Sequence, residues 1–562
     1  MARGRHLLAA VCLALLCVAP LASADKPKAK PKAKGKAKAE AKPKAEAEPK
    51  AEAQPKAEAA AKAEGDETCP AGAPCSGSLA AGAPVPAPAA DEGPEYPWPT
   101  VRGRTKPGLY SISPGKAPKS WEKKLAWEFP GASGNHSSIF NGGVCIDDEG
   151  GIYTAATDAI YKLSKQGEFK WIYPIPTSTT PMIHNGGLYS SSKSGYFFKL
   201  DMKNGVVLWK TQVSPAIGPD IASIGVSDGV VVGSTHGKIE GGDSQVTGVN
   251  ASTGEVLWSY RAEGQLWNFQ PLFTGEGSFV FQDQLGGVYH LRTSDGGLIW
   301  KNGYGGPFTD TWTDGVAMLG PNRLVYVAHA DCAQWQPHSP YPQCVPASPG
   351  TLNAYSLDTG DRVWSQPTPY SPNSQPLVAK LGKNSGYSVV MPIGLPAGTP
   401  PSFKVFDWPL PKLIQGAIYT FSVWLGDSQV WLWRNTPFPS IVQTYDAQTG
   451  EKQWSWTPPV LVRGYSRGDE ELIFHRMRAG AQPWCVPNLW ASPTIDAEGT
   501  IFLGHADGKI YALRDANGDN AIDPVSEVTE FATEVAFGHP GAAVVDGLMV
   551  TVNCDRVMAF KD

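Results

Sequence analysis

Six times along this 562-residue chain a glycine-bearing turn leads into a short strand that ends in tryptophan. The stretches run from Lys165-Gln166-Gly167-Glu168 to Trp171 and from Asp201-Met202-Lys203-Asn204-Gly205 to Trp209. They recur from Ala251-Ser252-Thr253-Gly254-Glu255 to Trp258 and from Ser294-Asp295-Gly296-Gly297 to Trp300. The last two run from Asp358-Thr359-Gly360-Asp361 to Trp364 and from Ala447-Gln448-Thr449-Gly450-Glu451 to Trp454. An alternating strand precedes each turn, as in Tyr196-Phe197-Phe198-Lys199-Leu200. Glycine supplies the positive φ of a tight hairpin. The tryptophan brings a large ring that one small sheet cannot bury alone, so the repeats must stack side by side. The predicted fold is an all-β propeller of four-stranded blades. Sixty-one glycines, 50 prolines and only 18 % charged residues suit many short strands and turns, not long helices.

The tryptophans are 38, 49, 42, 64 and 90 residues apart. The 64-residue step holds a Pro-rich loop, and the 90-residue step holds the irregular stretch 392–437, read as one blade with a long insertion. A blade without tryptophan is expected over 492–531. Three C-terminal strands, 542–545, 548–552 and 556–560, lack a fourth, and Lys124-Leu125-Ala126-Trp127-Glu128 resembles the missing one. Pairing it there would close the ring and remove its open edges. The expected total is eight blades, with seven as the alternative.

The segment Ala506-Asp507-Gly508-Lys509-Ile510-Tyr511-Ala512-Leu513 and the T-G-E-x-x-W turns ending at Trp258 and Trp454 resemble the pyrroloquinoline-quinone (PQQ) type propeller repeat. The resemblance covers roughly residues 120–562. The family holds quinoprotein alcohol dehydrogenases and a non-catalytic outer-membrane assembly factor, and the chain looks closer to the latter. In the dehydrogenases the resemblance implies a quinone in the central channel beside a calcium and a catalytic aspartate, often with a disulfide between adjacent cysteines. This chain has no Cys-Cys pair and no C-x-x-C-H haem site. The resemblance therefore implies the scaffold without the PQQ cofactor.

The chain ahead of the repeats reads as three segments. Residues 1–24 have Arg3 and Arg5, an apolar run from Leu7 to Leu21 and a small-x-small site at Ala22-Ser23-Ala24, which predicts a secretory signal peptide. No later apolar run is long enough to span a membrane. Residues 25–64, almost wholly Lys, Ala, Pro and Glu, are expected to be disordered, and 65–117 read as a Pro/Gly/Ala-rich linker to a propeller over 118–562. Residues 1–64 carry 14 basic and 7 acidic side chains on a chain whose net charge is −5. The basic tail suits contact with anionic surfaces and specifies no nucleic-acid sequence. These features place the protein outside the cytoplasm, in a periplasm, a secretory lumen or the medium.

An oxidising compartment permits disulfides. Cys332 and Cys344, flanking the Pro-rich loop, are the first candidate pair and Cys69 with Cys75 a second, while Cys145, Cys485 and Cys554 read as buried thiols. Asp515, Asn517, Asp519 and Asp523, followed by Glu527, space oxygens as a calcium loop does. Glycine is missing from the sixth position and Glu527 is one residue late, so an Asx-rich turn is the stronger expectation. His136, Trp267, Asn268, Trp312, Asn488, Trp490 and His539 fall where inner strands begin, at the mouth of a propeller channel, as a ligand-stacking set or as channel packing. No Ser-His-Asp signature or phosphate-cradling loop is visible. Asn135 and Asn250 head N-x-S acceptor triplets for glycosylation.

The leading expectation is an exported, non-catalytic scaffold that binds a protein through its insertions at 330–348 and 392–437, the second bearing Trp408, Trp424, Trp431 and Trp433. The alternatives are a quinone-dependent oxidoreductase with a diverged site, and carbohydrate or small-ligand binding at the channel mouth.

Overall fold

The computed structural model describes residues 95–104, 110–132, 138–140, 142–177, 179–215, 223–235, 244–266, 268–303, 311–313, 315–331, 349–381, 386–394, 414, 437–462, 485 and 489–562. Among them, short antiparallel strands form eight blade sheets in chain order, seven of four strands and one of five, beside a two-stranded sheet of Pro437–Phe438 and Leu461–Val462. Blade 1 spans Val144–Tyr173, blade 2 Met182–Gln212, blade 3 Gly225–Arg261 and blade 4 Leu272–Gly303. Blade 5 spans Thr311–Thr368 and carries a fifth short strand; blade 6 runs from Leu377 to Trp456 with the insertion between its second and third strands. Blade 7 spans Thr494–Ala532, and blade 8 joins Ala543–Val545, Leu548–Val552 and Val557–Lys561 to Trp127–Phe129.

Trp127 lies opposite Ala559 and Phe129 opposite Val557, so the N-terminal strand does complete the last blade. Eight blades, not seven, close the ring. The first strand of each blade is buried and faces the axis, while the fourth lies on the rim, as Phe169–Tyr173 does with only one of its five residues buried.

The repeated glycine and tryptophan act across blade seams. Gly254 has φ +79°, and a Cβ there would come within 2.8 Å of the Trp209 ring of the previous blade. The Trp209 Nε1 donates to the Ala251 carbonyl, 3.0 Å away in the same turn. Trp171, Trp258, Trp300 and Trp364 dock in the same way on the turns at Gly205, Gly296, Gly360 and Gly450. Trp127 docks on Gly167, which places this link across the closing seam as well. Each ring thus covers the neighbouring glycine turn and keeps its N–H satisfied, so glycine is required both for backbone conformation and for clearance.

Two readings of the sequence change here. Cys485 and Cys554 form a disulfide that links the chain ahead of blade 7 to blade 8, where two buried thiols were expected; among the described residues only Cys145 is a buried free thiol. The sequence shows no reason for that pairing, because the partners are 69 residues apart and belong to no repeated position. Residues 95–104 and 110–117, read as the end of a linker, are largely buried against the propeller, with Trp98 and Arg102 only 1 % and 3 % exposed. Trp98, Tyr96 and Tyr110 supply the apolar area that holds a strand-poor segment in place. The signal peptide, the basic tail, Cys69, Cys75, Cys332, Cys344 and both loop insertions lie almost wholly outside the described residues.

Candidate functional site

A propeller concentrates its function where the inner strands begin and end, around the central channel. Several described contacts link the residues that precede neighbouring inner strands. Gly143 N donates to Thr180 Oγ1 (blades 1 and 2), and Ser223 N to the Phe269 carbonyl (blades 3 and 4). Ser492 Oγ reaches Gln375 Oε1 at 2.6 Å and the His539 carbonyl at 2.8 Å, tying blades 6, 7 and 8, and Ser374 Oγ reaches the Trp490 carbonyl.

Asn268 and His539 sit four residues ahead of the inner strands of blades 4 and 8, which stand opposite each other in an eight-fold ring. Their side chains nevertheless meet, Asn268 Nδ2 to His539 Nδ1 at 3.2 Å. That contact therefore spans the channel axis. Both residues are buried, and Asn268 holds a left-handed φ of +50°, which asparagine tolerates better than most residues.

The N-terminal segment crosses the far ends of the inner strands. Trp98 pairs with Ile146 of blade 1, and the Pro99 carbonyl accepts from Ile183 of blade 2. Ile495 of blade 7 bonds to Ser111 and Ser113, and Ser113 Oγ donates to the Val544 carbonyl of blade 8 at 2.6 Å. Between these anchors Arg102 turns inward. Its Nε donates to Gln270 Oε1 at 2.7 Å ahead of blade 4, and its Nη1 to the Pro376 carbonyl at 3.3 Å ahead of blade 6. The Met318 sulfur of blade 5 lies 4.0 Å from the same nitrogen. Burial holds this guanidinium down to about 9, still charged at neutral pH. The neighbouring Tyr110 donates to the Phe273 carbonyl, and burial pushes its phenol up, so it stays neutral.

The structure thus brings together Asn268 and His539 from the channel-mouth set and adds Arg102, Gln270, Gln375 and Ser492. Trp490 is fully buried between His505, Trp456 and Tyr511, and its Nε1 donates to the Ile393 carbonyl. Trp312 is half-buried, paired with Ala330 at the start of blade 5. His136, Trp267 and Asn488 lie outside the described residues. Arg102 was missed because its segment carries no strand pattern; the signal that could have found it is the aromatic cluster Tyr96, Trp98 and Tyr110 around it.

A serine-histidine-aspartate arrangement also appears: Ser440 Oγ is 3.4 Å from His505 Nε2, and His505 Nδ1 is 3.1 Å from Asp507 Oδ1. His505 nonetheless occupies the turn position that Asp283 occupies in blade 4, and it does the same work. Its Nδ1 meets the Asp507 N–H at 3.3 Å, as Asp283 Oδ1 meets the Leu285 N–H at 3.0 Å. With Ser440 and His505 buried and the Trp490 ring tilted against the imidazole, centroids 4.3 Å apart, the arrangement is a turn lock, not a nucleophile open to substrate.

In the loop after blade 7's third strand, the acidic oxygens are turned toward backbone donors. Asp515 accepts from Gly518 N and Asn520 N, and Asp519 from Ala521 N. Asp523 accepts from Val525 N and Ser526 N, and Asn517 Oδ1 from Asp519 N. Glu527 accepts from Ala516, Asn517 and Asp523. Among the described residues no group of three His, Cys, Asp or Glu converges as a metal site. Asn250 lies in a hairpin turn, where its Oδ1 accepts from Ser252 N and Thr253 N. Asn135 lies outside the described residues.

Fold and channel together define an eight-bladed propeller with a polar, side-chain-filled axis. Residues 117–265 and 242–391 match the family profile described as outer membrane protein assembly factor BamB, so this part of the chain is similar to PQQ-like propeller repeats. Among solved structures, the quinohemoprotein alcohol dehydrogenase of Comamonas testosteroni is similar at 13 % identity, with a TM-score of 0.54 over 84 % of this chain and 81 % of that one. The quinohemoprotein alcohol dehydrogenase ADHIIG of Pseudomonas putida HK5 is similar at 12 % identity, with a TM-score of 0.51 over 85 % and 83 %. BamB of Moraxella catarrhalis aligns at 14 % identity, with a TM-score of 0.46 over 76 % of this chain and 98 % of that one. No curated protein sequence matches this one. At such identities the structural likenesses establish the fold alone.

Proposed function

We propose that this protein is an exported, non-catalytic propeller scaffold that binds another protein through its loops and rim. The observation that carries the reading is the occupied axis. Asn268 and His539 meet across it, and Arg102 reaches into it from the far end. A drug-sized or cofactor-sized ligand needs a pocket of roughly 300 Å³ or more, whereas the cavity beside Arg102 is about 20 Å³. The Asn268–His539 contact across the axis speaks against a quinone there, and no catalytic step is derived through one.

The rim supports a protein partner. The fourth strands of blades 1 to 4 expose Phe169 and Ile172, Val206 to Leu208, Val256 and Leu257, and Leu298 and Ile299. Contiguous exposed apolar side chains mark contact surfaces. The Cys485–Cys554 disulfide supports an oxidising compartment and thus export. The match to an assembly-factor profile supports the same role. The insertions at 330–348 and 392–437 are the proposed specificity loops, and the basic tail a tether to anionic surfaces.

The test is cross-linking capture with the full-length protein in its own host, beside a variant lacking 396–434. The expected result is one stoichiometric partner that the deletion loses while the variant still melts cooperatively. Dye-linked alcohol oxidation after incubation with quinone and calcium would overturn the reading.

A further inference from the structure

Among the described residues, Arg102 is a buried cation without a counter-ion. Two of its nitrogens are satisfied by neutral acceptors, the Gln270 amide and the Pro376 carbonyl, and Nη2 has no hydrogen-bond partner. A cation taken out of water costs several kcal/mol unless it is paired, which is why buried charges are found with opposite charges. The neighbouring groups cannot serve: Tyr110 is neutral and its proton is given to Phe273, and Met318 offers only a thioether. A small cavity of about 20 Å³ lies beside it, its polar lining Thr100, Arg102, Tyr110, Thr180, Ser223 and Gln270, with no Asp or Glu among its lining residues. Thr180, whose Oγ1 accepts the Gly143 N–H, lines the same space.

We infer that this cavity is a binding site for one small monovalent anion of halide size, held by Arg102 Nη2 and the Thr180 hydroxyl at the end of the propeller channel. The volume decides the size. A water-sized particle needs roughly 10–15 Å³ of such space, so a cavity of about 20 Å³ suits one monatomic ion better than a dicarboxylate or a phosphate ester. Water would fill the same volume but would leave the charge uncompensated. Because Arg102 belongs to the N-terminal segment while Thr180 and Gln270 belong to blades 2 and 4, the anion would join the segment to the ring. Its binding would then stabilise the docked segment by mass action.

The test uses the full-length protein in sodium gluconate, with chloride or bromide exchanged in at constant ionic strength. The expected result is a halide-dependent rise in melting temperature of several degrees that saturates, and that Arg102→Met abolishes. Crystals grown in bromide should give an anomalous peak within hydrogen-bonding distance of Arg102 Nη2. Melting that ignores halide, or an equal shift in Arg102→Met, would overturn the inference. Should Arg102→Met fail to fold, the bromide crystals decide alone, and a wild-type map without that peak rejects the site.

Discussion

Two stretches of the ring close their seams by different means. From the blade 8–1 seam round to blade 6, every seam uses the same device, a tryptophan laid on the next blade's glycine turn with its N–H on a turn carbonyl. From blade 6 to blade 8 the device is absent among the described residues. Trp454 is buried, but the seam to blade 7 is filled by Trp456, Trp490, Tyr511 and His505. The seam to blade 8 has Phe531 edge-on to Phe560 at 5.0 Å, Trp121 against Phe502 and Phe560, and the Cys485–Cys554 disulfide nearby. The regular seams are local and repeatable. The irregular ones draw on residues from distant parts of the chain, so they can be tuned without disturbing the rest.

The largest expected effects separate the two kinds of seam. Cys485→Ser should cost about 4 kcal/mol through the unfolded chain, by loop entropy over 69 residues, seen as a lower denaturation midpoint and early hydrogen exchange in blades 7 and 8 only. Trp364→Ala should cost about 3–5 kcal/mol and loosen blades 5 and 6 first. Uniform exchange across the ring in either variant would show that the seams do not act separately. Next, Gly254→Ala should cost about 1–3 kcal/mol, because alanine must adopt φ near +79° and crowd the Trp209 ring.

Blades 4 and 7 also differ in charge. Tyr289 donates to Asp283 and Tyr511 to Asp507, each at 2.7 Å. Burial pushes Asp283 up to about 6 despite its hydrogen bonds. Burial acts the same way on Asp507, but the neighbouring His505, the Tyr511 hydroxyl and the Lys509 N–H overcome it and hold the carboxyl below its ordinary range. With its folded value raised, Asp283 binds its proton more tightly in the native state. Its contribution is fully present below its ordinary value of 3.8 and is lost as pH rises toward 6. Asp507 contributes above its ordinary value and loses that as pH falls through its depressed one. Amide exchange should therefore quicken in blade 4 as pH rises from about 4 to 6 and in blade 7 only under stronger acid, and Asp283→Asn should flatten the first profile. The smallest expected effect is that of calcium. The oxygens of Asp515 to Glu527 already hold backbone N–H groups, so calcium and chelator should leave the melting temperature unmoved; a rise with calcium would make the turn a metal site.

The repeat is legible in the chain because its signal is local. Glycine, a strand and tryptophan recur within a few residues, and Trp127 at one end matches the strand missing at the other. The sequence alone therefore determined the repeat and the closing strand, and favoured eight blades over seven. The axis was only partly legible: Asn268 and His539 were visible as residues ahead of inner strands, but their meeting required two opposite blades to face each other. Only the tertiary structure decided that contact, the Cys485–Cys554 bond and the docking of residues 95–117 with Arg102 inside. Each joins positions whose separation along the chain bears no relation to the period, and burial of Trp98 and Tyr110 against several blades at once leaves no pattern in any one of them.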